Sequence, residues 1–260
     1  MNDRASERKK LEGLLQDAYA KGEFVLHYQP QVKVHSRLVT CVEALMRWQK
    51  PVDGLQLPWQ FIPQAEETGL ITALDEWALR SACLQNKAWQ DAGHRPVCVT
   101  VNLSARHIRQ PQIVETVTRV LNETGLGPSY LGLEISECLA VKDIDSLASI
   151  LIKLEAIGVQ IFIDDFGKES ASISHLLKWP LRAVKIDKSY IDNLAADPDY
   201  GSVVRSLIDM AHHLDINVVA EGVETEGQLA FLQSAMCDEV QGYYFSRPLP
   251  AEEFVKFISR

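Results

Sequence analysis

Short apolar runs that end on an acid or an amide recur through most of this chain. LVTCV leads to Glu43, CVTV to Asn102, LGL to Glu134, and QIFI to the adjacent Asp164 and Asp165. AVKID carries Lys185 and Asp187, NVVAEGVE carries Glu221 and Glu224, and EVQGYYF carries Gln241. Such runs read as strands buried on both faces. Between them lie segments with helical spacing. PQIVETVTRVLNET is closed by Gly125, with Pro111 at a first helical position, and a helix from about residue 144 to 157 is closed by Gly158 and carries Ile144, Leu147, Leu151 and Leu154. Further helices are expected from about Asp75 to Gly93, from Pro198 to Leu214, around Leu229 and Leu232, and after Pro250. An opening polar helix, about residues 5 to 21, places Leu11, Leu14, Leu15 and Tyr19 at helical spacing and stops at Gly22.

Roughly eight strands alternating with helices predict an α/β chain of the TIM-type (β/α)8 barrel class rather than an open sheet. In that fold the site lies at the C-terminal ends of the strands, where the acids and amides stand. A length of 260 residues suits one such barrel or two small domains. With no interior linker or low-complexity tract, the expectation is a helix at 1–22 packed on a single barrel at 23–260.

Charge changes the picture next. A net charge of -9 argues against a duplex nucleic-acid partner, which needs a lysine and arginine surface. The five cysteines, Cys41, Cys83, Cys98, Cys138 and Cys237, show no metal-finger spacing and read as reduced thiols of a cytoplasmic protein. No apolar stretch approaches the roughly 18 to 20 residues needed to cross a bilayer.

Oxygen donors without histidine or thiolate favour Mg²⁺ or Mn²⁺. The pair Asp164–Asp165 suits bridging two such ions about 3.5 to 4 Å apart, which would clamp a phosphodiester and activate a water. Lys185 would orient that water or stabilise phosphoryl charge, and Arg47, on the same strand face as Glu43, offers a planar fork to a phosphate or a guanine edge. Blander readings take His212 and His213 as surface or packing residues, Cys138 as an inert buried thiol, and Tyr243, Tyr244 and Phe245 as barrel wall. Without further information the same acids and lysine also suit an enolase-like proton abstraction, but no second base is evident.

Ordered along the chain stand Tyr28-Gln29-Pro30, Glu43-Ala44-Leu45 with Arg47 and Trp48, FIPQAEETGLI from Phe61, and Val101-Asn102-Leu103-Ser104. LEISE from Leu133, Asp164-Asp165-Phe166-Gly167, Val184-Lys185-Ile186-Asp187, Glu221-Gly222-Val223-Glu224 and QGYYFSRPLP from Gln241 follow. Over nearly its whole length the chain resembles an EAL domain, the cyclic di-GMP phosphodiesterase family. The resemblance implies a barrel whose first strand is antiparallel, and hydrolysis of cyclic di-GMP to the linear dinucleotide pGpG with two Mg²⁺ or Mn²⁺ ions, Ca²⁺ being inhibitory. It implies Glu43, Asn102, Glu134 and Asp164 on one ion and Asp164, Asp165 and Glu221 on the other. Lys185, Glu221 and Glu43 would be catalytic, and Gln29, Leu45, Arg47, Glu224 and Gln241 would form the substrate pocket. A homodimer is implied, with sensory or diguanylate cyclase domains as regulators.

The family usually continues Thr-Gly-Tyr-Ser-Ser after Gly167, where this chain has Lys168-Glu169-Ser170-Ala171-Ser172, and it has Arg182 where an aspartate is usual. That loop is implied to lean on Glu137, and loss of the serine at 171 would remove a partner for it. The departure motivates an alternative reading, a weakly active or inactive cyclic di-GMP receptor or protein-interaction module.

Overall fold

A computed structural model describes residues 12–138, 144–168, 176–194 and 198–259. Leu11, the side chain of Ile144 and the altered residues Glu169 to Ser172 lie outside the described residues.

Strands β1 (Phe24–Lys33) and β2 (Val39–Lys50) form an antiparallel hairpin, extended by β3 (Gly54–Gln56). Parallel strands follow in chain order: β4 (Cys98–Asn102), β5 (Leu131–Ser136), β6 (Gln160–Phe166), β7 (Ala183–Ile186), β8 (Asn217–Ala220) and β9 (Glu239–Val240). Because β1 bonds β2 on one side and β9 antiparallel on the other, the sheet closes into a barrel, with β10 (Leu249–Pro250) paired outside it. The antiparallel first strand is therefore present.

The wall strands are covered outside by amphipathic helices. In Ile71–Asp91 the buried residues Ile71, Leu74, Ala78, Leu79, Ala82 and Trp89 follow a helical stripe, and in Ile113–Thr124 so do Ile113, Val117, Val120 and Leu121. The first of these helices begins four residues before the expected Asp75, with Leu70 as its N-cap following Gly69, which caps the preceding Ile62–Thr68 helix with φ 83°. Pro111 lies in the turn before its helix, whose N-cap is Gln112. Residues 12–20 are helical and bury Leu15 and Ala18 against Phe24, Trp48 and Phe61. Leu14 and Tyr19 are exposed: each adjoins a buried residue, Leu15 and Ala18 respectively, and a neighbouring position is turned about 100° around the helix.

Strand alternation explains the barrel's inside. Two residues before the rim positions Glu43, Asp164, Lys185 and Glu221 stand Cys41, Phe162, Ala183 and Val219, which with Cys98 form a separate buried cluster. This cluster is an apolar floor with a polar layer above it. Phe162 fills the axis so tightly that a Cβ on Gly132 would stand 2.7 Å from its ring and 2.7 Å from the Thr100 methyl. Gly132→Ala should therefore destabilise the fold by about 1–3 kcal/mol through overpacking. Chemical denaturation measures this, and Phe162→Leu in the same chain should recover part of the loss.

Candidate active site at the C-terminal rim

Lys185 is the third residue of a four-residue strand that is buried throughout, and its own side chain is 0% exposed. Its amino group donates to Glu134 Oε2 at 2.6 Å and Glu43 Oε2 at 3.0 Å, with Glu221 Oε1 at 2.7 Å and Asp164 Oδ1 at 3.9 Å. Four strands that share no local sequence thus deliver their acids to one atom. An amide layer surrounds them. Asn102 Nδ2 donates to Glu43 Oε1 at 2.7 Å, and Gln241 Nε2 donates to Glu43 Oε2 at 2.6 Å and to Gln29 Oε1 at 3.0 Å. Gln31 Nε2 reaches Glu134 Oε1 at 3.4 Å. Gln241 is held at the rim because Gly242 lies against the Val223 backbone, where a Cβ would come within 2.1 Å of the carbonyl oxygen.

One ammonium among four carboxylates leaves the cluster short of positive charge. Burial, then the neighbouring Glu43 charge, pushes Glu134 up to about 8, and burial likewise raises Asp164 and Glu221. Burial also opposes the charge on Glu43, yet Lys185, Gln241 and Asn102 hold it below the ordinary range. Burial alone would drive Lys185 toward neutrality, and the acids more than reverse it.

Asp164 and Asp165 part company at a β-bulge. The β6–β7 register shifts between Ile163 and Phe166, and Asp165 takes a left-handed φ of 58°, at a strain cost of about 1–3 kcal/mol. Its N–H donates to Asp164 Oδ1 at 2.8 Å. Asp164 thereby stays with Lys185, while Asp165 turns to Lys168, whose Nζ stands 2.8 Å from Asp165 Oδ1 and 2.8 Å from Asp187 Oδ2. Behind the bulge, Glu137 Oε2 accepts the Gly167 N–H at 2.9 Å.

Two hollows flank the acids and share Glu43, Leu45 and Asp164. The larger, about 830 Å³, runs past Met46, Pro58, Trp59 and Ile62 to Asn102, Glu134, Asp165 and Lys168. The smaller, about 270 Å³, is lined by Gln29, Lys188, Glu221, Glu224, Gln241 and Tyr243. Glu224 is ion-paired with Lys188 at 2.7 Å. Arg47 lines neither hollow: it is buried, and its Nη1 donates to the Met46 carbonyl at 2.8 Å.

Two assignments from the sequence need correction. Cys138 is exposed on the larger hollow, because the chain leaves β5 at Ser136 and turns outward. Tyr243 and Tyr244 are exposed rim residues rather than wall, since β9 ends at Val240, and Arg247 stacks on the Tyr243 ring at 4.2 Å. Sequence reasoning assigned no site role to Gln31, Lys168, Lys188 or Trp59. Alternation from Gln29 would have found Gln31, and the departure from the family pattern begins at Lys168, but no local signal marks Lys188 or Trp59.

The donor set suits a hard divalent cation, being all oxygen and short of positive charge. Among the described residues no group of three or more acids, histidines or cysteines forms a ready-made metal cage, since the Lys185 ammonium stands amid the acids. Fold and site together define a TIM-type barrel with an anionic, oxygen-donor centre at its C-terminal rim. The chain belongs to the EAL domain family, which matches residues 13–248. It is 40% identical over 259 residues to the bifunctional diguanylate cyclase/cyclic di-GMP phosphodiesterase MucR of Pseudomonas aeruginosa, covering 100% of this chain and 38% of that protein. To the cyclic di-GMP phosphodiesterase NbdA of the same organism it is 39% identical over 255 residues, covering 98% of this chain and 33% of that protein. It thus spans well under half the length of these curated relatives. A solved structure described as "PaMucR Phosphodiesterase, c-di-GMP complex" superposes with a TM-score of 0.91 at 41% identity, over 94% of this chain and 99% of that one. Among the described residues no helix is long and apolar enough to cross a membrane.

The raised Glu134 dictates a pH dependence for the metal-free protein. Its folded value of about 8 exceeds the roughly 4.3 of an unfolded carboxyl, so proton binding favours the folded chain. That stabilisation is complete below the unfolded value and is lost as the pH rises through the folded one. Urea denaturation in chelator should show stability declining across this window. Glu134→Gln should flatten that decline, and an unchanged slope would contradict the assignment.

Proposed function

We propose that the chain hydrolyses one phosphodiester bond of cyclic di-GMP to the linear dinucleotide pGpG, using Mg²⁺ or Mn²⁺. The observation that carries this reading is the convergence of Glu43, Glu134, Asp164 and Glu221 on Lys185 between two hollows. The relatives named for the same activity support it.

Glu43, Asn102, Glu134 and Asp164 would hold one cation, and Asp164, Asp165 and Glu221 a second. Bound there, the ions supply Lewis-acid polarisation of the phosphoryl group and a water of lowered pKa. The chain's own residues do the rest. Lys185, kept protonated by its acids, offers a fixed positive charge to the attacking oxygen or to the phosphoryl oxygens. Gln241 and Asn102 hold the Glu43 carboxylate in one orientation. The two hollows, one largely apolar beside Trp59 and one polar beside Gln29, Glu224 and Tyr243, accept the two halves of a cyclic dinucleotide while its phosphodiester faces the acids. Four carboxylates against one buried ammonium leave the rim anionic, and bound cations would offset that charge for an anionic substrate. A cytoplasmic homodimer completes the proposal.

A second reading, a cyclic di-GMP receptor with slow turnover, is favoured by one contact, the hold of Lys168 on Asp165.

Purified protein with Mn²⁺ should convert cyclic di-GMP to pGpG, followed by chromatography of the nucleotides. Glu43→Gln and Lys185→Met should each lower turnover by about a hundredfold or more, while folding is retained in the first. No linear product from the unaltered chain, with binding of cyclic di-GMP intact, would replace the enzyme by the receptor.

A further inference from the structure

Lys168 sits three residues past Asp165 and is 47% exposed, on the wall of the larger hollow. Its amino group is shared by two carboxylates of different standing. Asp187 is a fixed point: it caps the Lys188–Asp192 helix, its Oδ1 accepting the Ser189 N–H at 2.9 Å, which leaves Oδ2 for the lysine at 2.8 Å. Asp165 is a strained one, held at φ 58° by the bulge that separates it from Asp164. Lys168 thus ties the bulge carboxylate to a helix cap, and one Asp165 oxygen is already engaged by an ammonium whose charge it shares with Asp187.

We propose that Lys168 is an internal counter-ion that competes with a divalent cation for Asp165, making the two cation positions of this site unequal. The inference rests on the metal-dependent reading above. Lys185 bears on both positions, on Glu43 and Glu134 of the inner one at 3.0 and 2.6 Å and on Glu221 of the outer one at 2.7 Å, so among the described residues Lys168 is the additional ammonium that sets the outer position apart from the inner one of Glu43, Asn102, Glu134 and Asp164. At the outer position an incoming cation meets an ammonium on the carboxylate it needs, and like charges at that spacing repel. The inner position therefore fills first, and the outer one fills only at higher cation concentration. Asp187 has a further part: it receives Lys168 when the lysine leaves Asp165, so that the displaced ammonium keeps a partner.

The test is Mn²⁺ titration of the chelator-treated full chain without substrate, with free Mn²⁺ read by electron paramagnetic resonance. The unaltered chain should show a tight and a weak class of site. Lys168→Gln should tighten the weak class about threefold to fivefold and leave the tight class in place, the size expected for removing a partly exposed ammonium. Lys168→Thr serves as a second neutral replacement, and Lys168→Arg, which keeps the charge, should behave like the unaltered chain. Identical weak classes in the unaltered and neutral chains would overturn the competition while leaving the metal-dependent reading intact. Loss of the tight class on neutralisation would overturn it in favour of a purely structural lysine. Absence of Mn²⁺ binding from every chain would sink both readings together.

Discussion

A fully buried ammonium at the end of a barrel strand is the constraint around which this molecule is arranged. Taking such an ion out of water costs several kcal/mol unless its partners are close and correctly aimed. Lys185 meets that demand with acids delivered by β2, β5, β6 and the end of β8. The dependence runs both ways, since Glu43, Glu134 and Asp164 also sit in low-dielectric surroundings and, among the described residues, find their ion-pair partner in Lys185. The apolar floor of Cys41, Cys98, Phe162, Ala183 and Val219 sharpens the effect by excluding water from below. The residual negative charge is then concentrated at the open end of the barrel, where a cation from solution can reach it.

The bulge in β6 decides how that charge is divided. In a regular strand, adjacent aspartates would face opposite sides, one into the barrel and one into the helical layer. An extra residue in the ladder with a left-handed backbone at Asp165 keeps both at the rim instead. Aspartate tolerates that conformation better than most side chains, and its N–H bond to Asp164 offsets part of the strain. Glu137 then holds Gly167 immediately beyond. The local distortion is therefore a positioning device, set by the chain and stabilised from behind.

Much of this was legible in the order of residues. Continuous apolar strands ending on acids, separated by amphipathic helices, identify the barrel and the rim that carries the site, because both follow from strand alternation and burial. The antiparallel first strand was not legible that way and came through family resemblance, since a hairpin and a crossover start from similar strands. Side-chain destinations were also hidden. Arg47 alternates onto the face of Glu43, yet it bonds the neighbouring Met46 carbonyl, a contact decided by the space around it. EVQGYYF reads as a strand by composition, but the backbone of Gly242 packs against Val223 and ends the ladder at Val240, turning Tyr243 and Tyr244 out to the rim. Propensity counts side chains and cannot register a tertiary backbone contact of that kind.

Two lysines at one rim show how burial separates roles that the same side chain could fill. Lys185 is enclosed, and its acids outnumber it, so displacing it would leave several carboxylates uncompensated and its place is part of the fold. Lys168 lies near the surface with two carboxylate partners and water within reach, so exchanging one partner costs little. A fixed charge is suited to stabilising a reacting group, whereas a loosely held one is suited to yielding a ligand oxygen when a stronger cation arrives. The contrast follows from where β7 and the β6 bulge place each amino group: one at the core of the barrel, the other on the wall of the larger hollow.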